Sequence, residues 1–290
     1  MKEIFVESHE VFAKSLSILG ISPEAFAMSV GNDRSTVYRY RNGESPIPST
    51  TLLSLIDLLF EHGVGLVEVL GIENENDYYY HATSKEIVFP INVHFNDGRK
   101  NDFGNGFYLG ENLRQSSTWG KANSKTLIYR FTRKQFETLP VLDFTSLKPV
   151  DWLNYIAMNR GKIDFNRYPS LITKYKKLEK GKGLIKGKIA DSFSYEVLEL
   201  FYRDKLDRDQ AEYATQIMAL GNQYCLKDQE FASHLVPNEL IRFDETLSEC
   251  FLRFAEKTQQ RQNQNVEVIL RKPPKRERLF SEFLKRHEDE

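Results

Sequence analysis

The sequence predicts an α+β protein, and three observations predict it. The first seventy residues break into short amphipathic helical stretches. From Tyr78 onward, aromatic and β-branched runs of strand length appear, such as Tyr78-Tyr79-Tyr80 and Leu127 to Phe131. Helical stretches separate those runs without a regular strand-helix repeat, which favours α+β over a doubly wound sheet. The chain has 290 residues, 40% hydrophobic and 28% charged with a net charge of −1, enough for two units with their own cores. No apolar run approaches the ~20 residues of a membrane span. The first ten residues carry Glu3, Glu7 and Glu10 and no apolar signal core. Only Cys225 and Cys250 occur, too few for a disulfide scaffold. A cytoplasmic protein with no membrane partner is expected.

Element by element, Ser8 to Leu19 places Val11, Phe12, Leu16 and Leu19 on one helical stripe. Ser22-Pro23-Glu24 starts a helix running to about Val30: the Ser caps, the Pro fits the first turn and the Glu suits the positive end. Gly31-Asn32 ends it, and Asp33 opens another over Arg34 to Arg41, closed by Asn42-Gly43. A fourth helix is expected from Ser49 to His62, with Leu52, Leu53, Ile56, Leu59 and Phe60 inward. Helix, tight turn, polar helix and closing helix form a helix-turn-helix layout, expected to occupy residues 1–72 as a small all-α domain.

Residues 8–70 resemble Cro/repressor-type helix-turn-helix domains through Ala25, Gly31, Val37 and Gly43. The resemblance implies that Arg34, Ser35, Thr36, Tyr38 and Arg39 face a DNA major groove, and that the chain pairs as a homodimer. The charge balance opposes this. Residues 1–70 hold five Lys/Arg against nine Asp/Glu, whereas phosphate neutralisation supplies much of DNA affinity. A helical module for dimerisation or for docking a partner such as an antitoxin is the alternative.

Residues 72–77 read as a linker. Beyond them, strands are expected at Tyr78 to Tyr80, Leu127 to Phe131, Val141 to Phe144 and Gln223 to Leu226. Helices are expected at Asn112 to Ala122, Asp151 to Asn159, Ser194 to Lys205 and Asp209 to Leu220. After Pro237 the chain reads as helical to about Gln262, and residues 237–290 form a helical extension. Its charged, Pro-broken tail, Arg271 to Arg278, precedes a short amphipathic helix. Residues 160–188 hold ten basic residues against Asp164 and Glu179. The run Lys174 to Lys182 is either a solvated helix end or a holder of an acidic acceptor, nucleic acid included.

Three segments carry candidate chemistry. Tyr80-His81-Ala82-Thr83 puts an imidazole and a hydroxyl at a strand end. Gly104-Asn105-Gly106-Phe107-Tyr108 offers pliant backbone followed by an aromatic plate, with Ser116 on the helix after it. Asn222-Gln223-Tyr224 opens a late strand. A nicotinamide-ribose needs an aromatic face, partners for its carboxamide and an anchor for its ribose hydroxyls, and Tyr108, Ser116 and His81 can supply these. Each residue alone has a bland reading: a hydrogen-bonded structural His, or glycines that only shape a turn. No Gly-Lys-Ser/Thr or three-glycine fingerprint follows a strand. His94, His234, Cys225 and Cys250 are too scattered for metal ligation, so no metal is expected.

Taken together, the segments resemble the ADP-ribosyltransferase superfamily in its diphtheria-toxin and poly-ADP-ribose-polymerase branch, which uses His, Tyr and Glu. More closely, residues 77–236 resemble a bacterial domain family of unknown function near these transferases. The carrying features are His81-Ala82-Thr83, Asp102-Phe103-Gly104-Asn105-Gly106-Phe107-Tyr108, Gly187-Lys188-Ile189-Ala190-Asp191 and Asn222-Gln223-Tyr224. The resemblance implies a split β-sandwich with helices and NAD as substrate. It implies catalytic roles for His81, Tyr108 and Gln223, and nicotinamide-ribose contacts from His81, Ala82, Thr83, Gly106, Phe107, Tyr108 and Ser116. Gln223 stands on the catalytic Glu, and Gln is usual at this place in the closer family. Ala82 replaces the Gly that usually follows the His, so its methyl crowds the ligand. Asp191 is either a site residue or a helix cap. The implied function is mono-ADP-ribosyl transfer to a protein or nucleic acid, as a toxin or phage-defence effector with a targeting helix-turn-helix. The alternative is a DNA-binding regulator that holds an NAD-like ligand without reacting.

Overall fold

The computed structural model describes residues 1–72, 75–95, 100–119, 124–164, 166–189, 192–217 and 221–286. The elements run β1 (Lys2–Val6), α1 (Ser8–Leu19), α2 (Pro23–Val30), α3 (Arg34–Arg41), α4 (Ser49–Glu61), α5 (Leu66–Leu70), β2 (Tyr78–Thr83), β3 (Phe107–Gly110) and α6 (Leu113–Ser117). There follow β4 (Leu127–Thr132), β5 (Val141–Asp143), α7 (Pro149–Asn159), α8 (Pro169–Glu179), β6 (Leu184–Lys188), α9 (Ser192–Tyr202) and α10 (Arg208–Ile217). The last elements are β7 (Asn222–Leu226), α11 (Gln229–His234), β8 (Glu239–Phe243), α12 (Glu245–Leu270) and α13 (Phe280–Lys285). The fold is α+β, with a helical N-terminal region followed by mixed sheet.

The capping chemistry expected at the N-terminus is present. Gly31 ends α2 in the left-handed conformation (φ 69°). Ser22 accepts from the Ala25 N–H at 3.1 Å with Pro23 in the first turn of α2, and Asp33 accepts from the Ser35 N–H at 2.7 Å to open α3. Two stretches depart from the expected helical reading. Lys2–Val6 is a strand, so the N-terminal region is not all-helical: β1 runs parallel to β8 from Lys2↔Glu239 to Val6↔Phe243. Glu239–Phe243, expected as helix after Pro237, is a strand held on both sides, by β1 and by antiparallel β4. Its pairing partners lie over a hundred residues away, and long-range ladder bonds override the local helical pattern. Helix begins only at Glu245, where Asp244 accepts from the Leu247 N–H at 2.8 Å. Asp244 also accepts from the Ser8 N–H at 2.6 Å, so one carboxylate serves the starts of α1 and α12.

The chain divides into two compact units, each assembled from separated stretches. The first comprises residues 1–87, 110–135 and 236–257. It holds α1–α5 and the strand order β1-β8-β4-β2, with Gly110 of β3 opposite Tyr80 of β2. Its core gathers Phe12, Val37, Leu52, Leu55, Tyr80, Ile128, Phe243 and Phe251. The second comprises residues 88–109, 136–235 and 258–290. In it β6 pairs parallel with β5 and antiparallel with β7, and Gly187 stands opposite Gln223. Its core gathers Phe103, Phe144, Leu153, Tyr155, Tyr175, Ile185, Phe201 and Phe280. No single described helix is long and apolar enough to cross a membrane.

Candidate functional site

In the second unit, a buried polar cluster forms where the loop 101–106 meets the start of β7. Asp102, 8% exposed, pairs its Oδ1 with the Arg160 guanidinium at the end of α7. Its other oxygen, Oδ2, accepts from Gln223 Nε2 at 2.7 Å. Gln223, 5% exposed, also donates from Nε2 to the Lys188 carbonyl at 3.3 Å. Both neighbours of this amide are acceptors only, so its nitrogen must face them and its Oε1 must point the other way. The Asp102 backbone carbonyl accepts from Asn159 Nδ2 at 3.2 Å, which ties the loop to α7. Among the expected contact residues, the second unit thus brings Gly106, Phe107, Tyr108 and Gln223 into one neighbourhood. Asp102 and Arg160 belong to it as well and were not singled out by type or spacing. Asp102 does head the Asp-Phe-Gly-Xaa-Gly-Phe-Tyr run, the one sequence signal that could have found it.

Tyr108 is fixed at both ends. Its hydroxyl accepts from the Phe103 N–H at 2.9 Å and donates to the Gly104 carbonyl at 2.8 Å. Its ring stacks on Phe103, with centroids 6.4 Å apart and planes at 16°. Burial, with the nearby Cys225 and Asp102, pushes its hydroxyl well above the ordinary tyrosine range. It therefore stays protonated and offers a ring surface, not a base. Phe103 lies against β6 because position 187 is glycine: a Cβ there would stand 2.7 Å from Phe103 Cζ and 3.0 Å from Trp152 Cδ1. Gly106 permits a closer approach still, since its Cβ would stand 2.2 Å from Cys225 Sγ and 2.8 Å from the Leu226 carbonyl oxygen. Cys225 is buried and its thiol is pushed up to about 12, chiefly by burial, so it is an inert packing group near neutral pH.

The first unit holds the other expected residues. His81 lies on β2 opposite Tyr129, half-buried, with Ala82 buried beside it. Thr83 Oγ1 accepts from the Lys85 N–H at 3.2 Å and turns the chain at the strand end. Ser116 on α6 is fully buried, and its Oγ lies 2.6 Å from where a Gly110 Cβ would stand. Gly110 is the partner of Tyr80, so Ser116 reaches the strand pair one residue before His81. The Ser116 Oγ has no hydrogen-bond partner among the described residues. A buried hydroxyl left in this state is costly. Asp191 lies outside the described residues. A cleft of about 270 Å³ in the same unit, lined by Phe60, Val64, Leu66, Asn112 and Arg114, contains none of the expected NAD-contact residues.

On α3, Arg34, Ser35 and Arg39 are exposed and Thr36 and Tyr38 half-buried. Glu24 of α2 takes Arg34 at 3.1 Å and the Tyr38 hydroxyl at 2.9 Å, while Arg39 donates to Thr36 Oγ1 at 3.3 Å. Two of the five expected DNA contacts are thus already engaged by an acid of the neighbouring helix. The basic stretch 174–188 divides between the end of α8, a turn and β6, with Lys174 on Asp151 at 2.8 Å and Lys186 on Asp143 at 3.1 Å. No group of three His, Cys, Asp or Glu side chains suited to a metal ion occurs among the described residues.

Comparison with curated proteins and with solved structures returns no match. A family profile does match, over residues 78–236, with all of β2 to β7 and the Asp102, Tyr108 and Gln223 neighbourhood inside it. That span is more than half of the chain, which therefore belongs to the family described as protein of unknown function (DUF3990).

Proposed function

We propose that the chain is an NAD-dependent mono-ADP-ribosyltransferase. His81 anchors the nicotinamide-ribose, Ser116 takes the carboxamide and Tyr108 lends its ring to the nicotinamide. Gln223 holds a ribose hydroxyl through its amide oxygen. The family resemblance assigns further ligand contacts to Ala82, Thr83, Gly106 and Phe107. The single observation that carries this reading is the state of Gln223. Its amide is buried and locked with nitrogen inward to Asp102 and the Lys188 carbonyl, and Oε1 accepts no hydrogen bond among the described residues. An acceptor oriented in advance is what a ribose hydroxyl requires. The unpartnered buried Ser116 hydroxyl points the same way.

A carboxylate at position 223 would stabilise an oxocarbenium-like state by charge, whereas an amide stabilises it only by its dipole. Single transfer or NAD cleavage therefore fits this residue better than chain elongation. The helices before residue 72 are read as a targeting or regulatory helix-turn-helix that contacts DNA, a second copy or an antitoxin-like partner, in an effector acting on protein or nucleic acid.

The second reading is a regulator that binds NAD without cleaving it, and the uncharged Gln223 is what favours it. Ligand-detected NMR with NAD, paired with adenylate-labelled NAD offered to lysate protein and nucleic acid, separates the two. The transferase shows NAD saturation signals and a labelled macromolecule, and Gln223→Ala lowers labelling by about 10²–10³-fold. Saturation signals without label or released nicotinamide support the regulator, and the absence of any NAD signal ends both readings.

A further inference from the structure

We propose that Asp102 is the positioning residue for Gln223: its buried carboxylate sets the amide's orientation and makes glutamine, not glutamate, the residue that fits at this place. The inference deepens the NAD reading above and rests on it for its functional half alone.

The geometry is explicit. Gln223 Nε2 donates to Asp102 Oδ2 at 2.7 Å and to the Lys188 carbonyl at 3.3 Å, and Asp102 Oδ1 pairs with Arg160. Rotating the amide by half a turn would aim its oxygen at a carboxylate and a carbonyl, so a single orientation survives. Donation to a carboxylate is a charge-assisted hydrogen bond. It also polarises the amide and leaves Oε1 a stronger acceptor. A glutamate at position 223 would set one carboxylate against another inside the protein, where two such groups cannot both be ionised. The glutamine is thus matched to Asp102, whose carboxylate already pairs with Arg160.

The surrounding groups leave this pair to dominate the response to pH. Tyr108 on β3 and Tyr202 on α9 have hydroxyls lifted by burial, and Cys225 on β7 is pushed up to about 12, so all three stay neutral from pH 5 to 8.5. Glu199 on α9 is paired with Lys162 at 2.6 Å, and Glu179 on α8 with Lys227 at 3.1 Å. These ion pairs, and Lys188 on β6, are common to every variant below and cancel in the comparison.

The experiment compares the wild type, D102N, Q223E and the double variant D102N/Q223E, by melting temperature from pH 5 to 8.5 and by kcat and KM for nicotinamide release from NAD. In Q223E one carboxyl must hold a proton in the folded state, so its folded-state pKa is raised. Stability from that proton is present at low pH and is lost as pH rises. The gap in melting temperature between wild type and Q223E therefore widens with pH, reaching roughly 5 °C or more near pH 8. In D102N/Q223E the amide and the acid have exchanged places, and the widening disappears. D102N keeps a hydrogen-bond acceptor but frees the amide to turn, and kcat falls about tenfold or more while KM changes less. The double variant recovers release, which loss of packing alone would not produce.

Parallel melting curves for Q223E and wild type across the pH range would overturn the inference, whatever the enzymology shows. Should Q223E fail to fold at any pH, folding of the double variant supports the pairing and its failure overturns it. The expected melting pattern without nicotinamide release from any of the four proteins leaves the Asp102–Gln223 pairing standing and ends the transferase reading.

Discussion

Arg160→Met lowers the stability of the protein by about 3–5 kcal/mol, the cost of leaving one charge of a buried ion pair without its partner. The Arg160 and Asp102 side chains are 8% and 10% exposed, so the substitution removes a guanidinium from a carboxylate largely shielded from water, to which the Gln223 amide still donates. By contrast Arg253→Met, which removes a partner of Glu249 where both side chains are 45% exposed, costs at most about 1 kcal/mol. Urea unfolding of the two variants beside the wild type reads the difference as a displaced midpoint. Equal midpoints for Arg160→Met and Arg253→Met would mean that the pair is solvated, and the rigid amide at Gln223 would lose its foundation.

Gly106→Ala is the second large effect. Its methyl would stand 2.2 Å from Cys225 Sγ and 2.8 Å from the Leu226 carbonyl oxygen. The thiol can turn aside, but the carbonyl is fixed in β7, so β3 and β7 must separate. Overpacking of this kind costs about 1–3 kcal/mol, occasionally more, and here it displaces the strands that carry Tyr108 and Gln223. Expected results are a lowered melting temperature and loss of NAD binding. Gly106→Ala/Cys225→Ala regains part of the stability, because only the backbone contact remains. Full recovery in the double variant would place the whole cost on the thiol and clear the carbonyl of any part.

Local chemistry was legible in the sequence wherever local chemistry decides. Ser22 and Asp33 cap the helices their side chains predicted, and Gly31 ends α2 in the left-handed conformation, because such bonds join residues two to five apart. The strands at Tyr78–Thr83, Leu127–Thr132, Val141–Asp143 and Asn222–Leu226 declared themselves by aromatic and β-branched content. Lys2–Val6 and Glu239–Phe243 did not, since each is a strand by virtue of the other and of β4. Leu184–Lys188 was hidden in a basic run, although Gly187 there is what admits Phe103. In the candidate site, Tyr108 and Gln223 could be named from motif order. Asp102 was visible only as the head of its motif and Arg160 not at all, because their roles rest on a pairing between residues 58 positions apart and on burial that no local pattern records.

The most direct test of the central claim is the rate of nicotinamide release from NAD by the pure protein, measured against Gln223→Ala at equal, verified folding. The account predicts release by the wild type and a drop of about 10²–10³-fold in the variant, the range for losing one oriented group at a developing charge. Release that is undetectable in the wild type, or unchanged in Gln223→Ala, would contradict it.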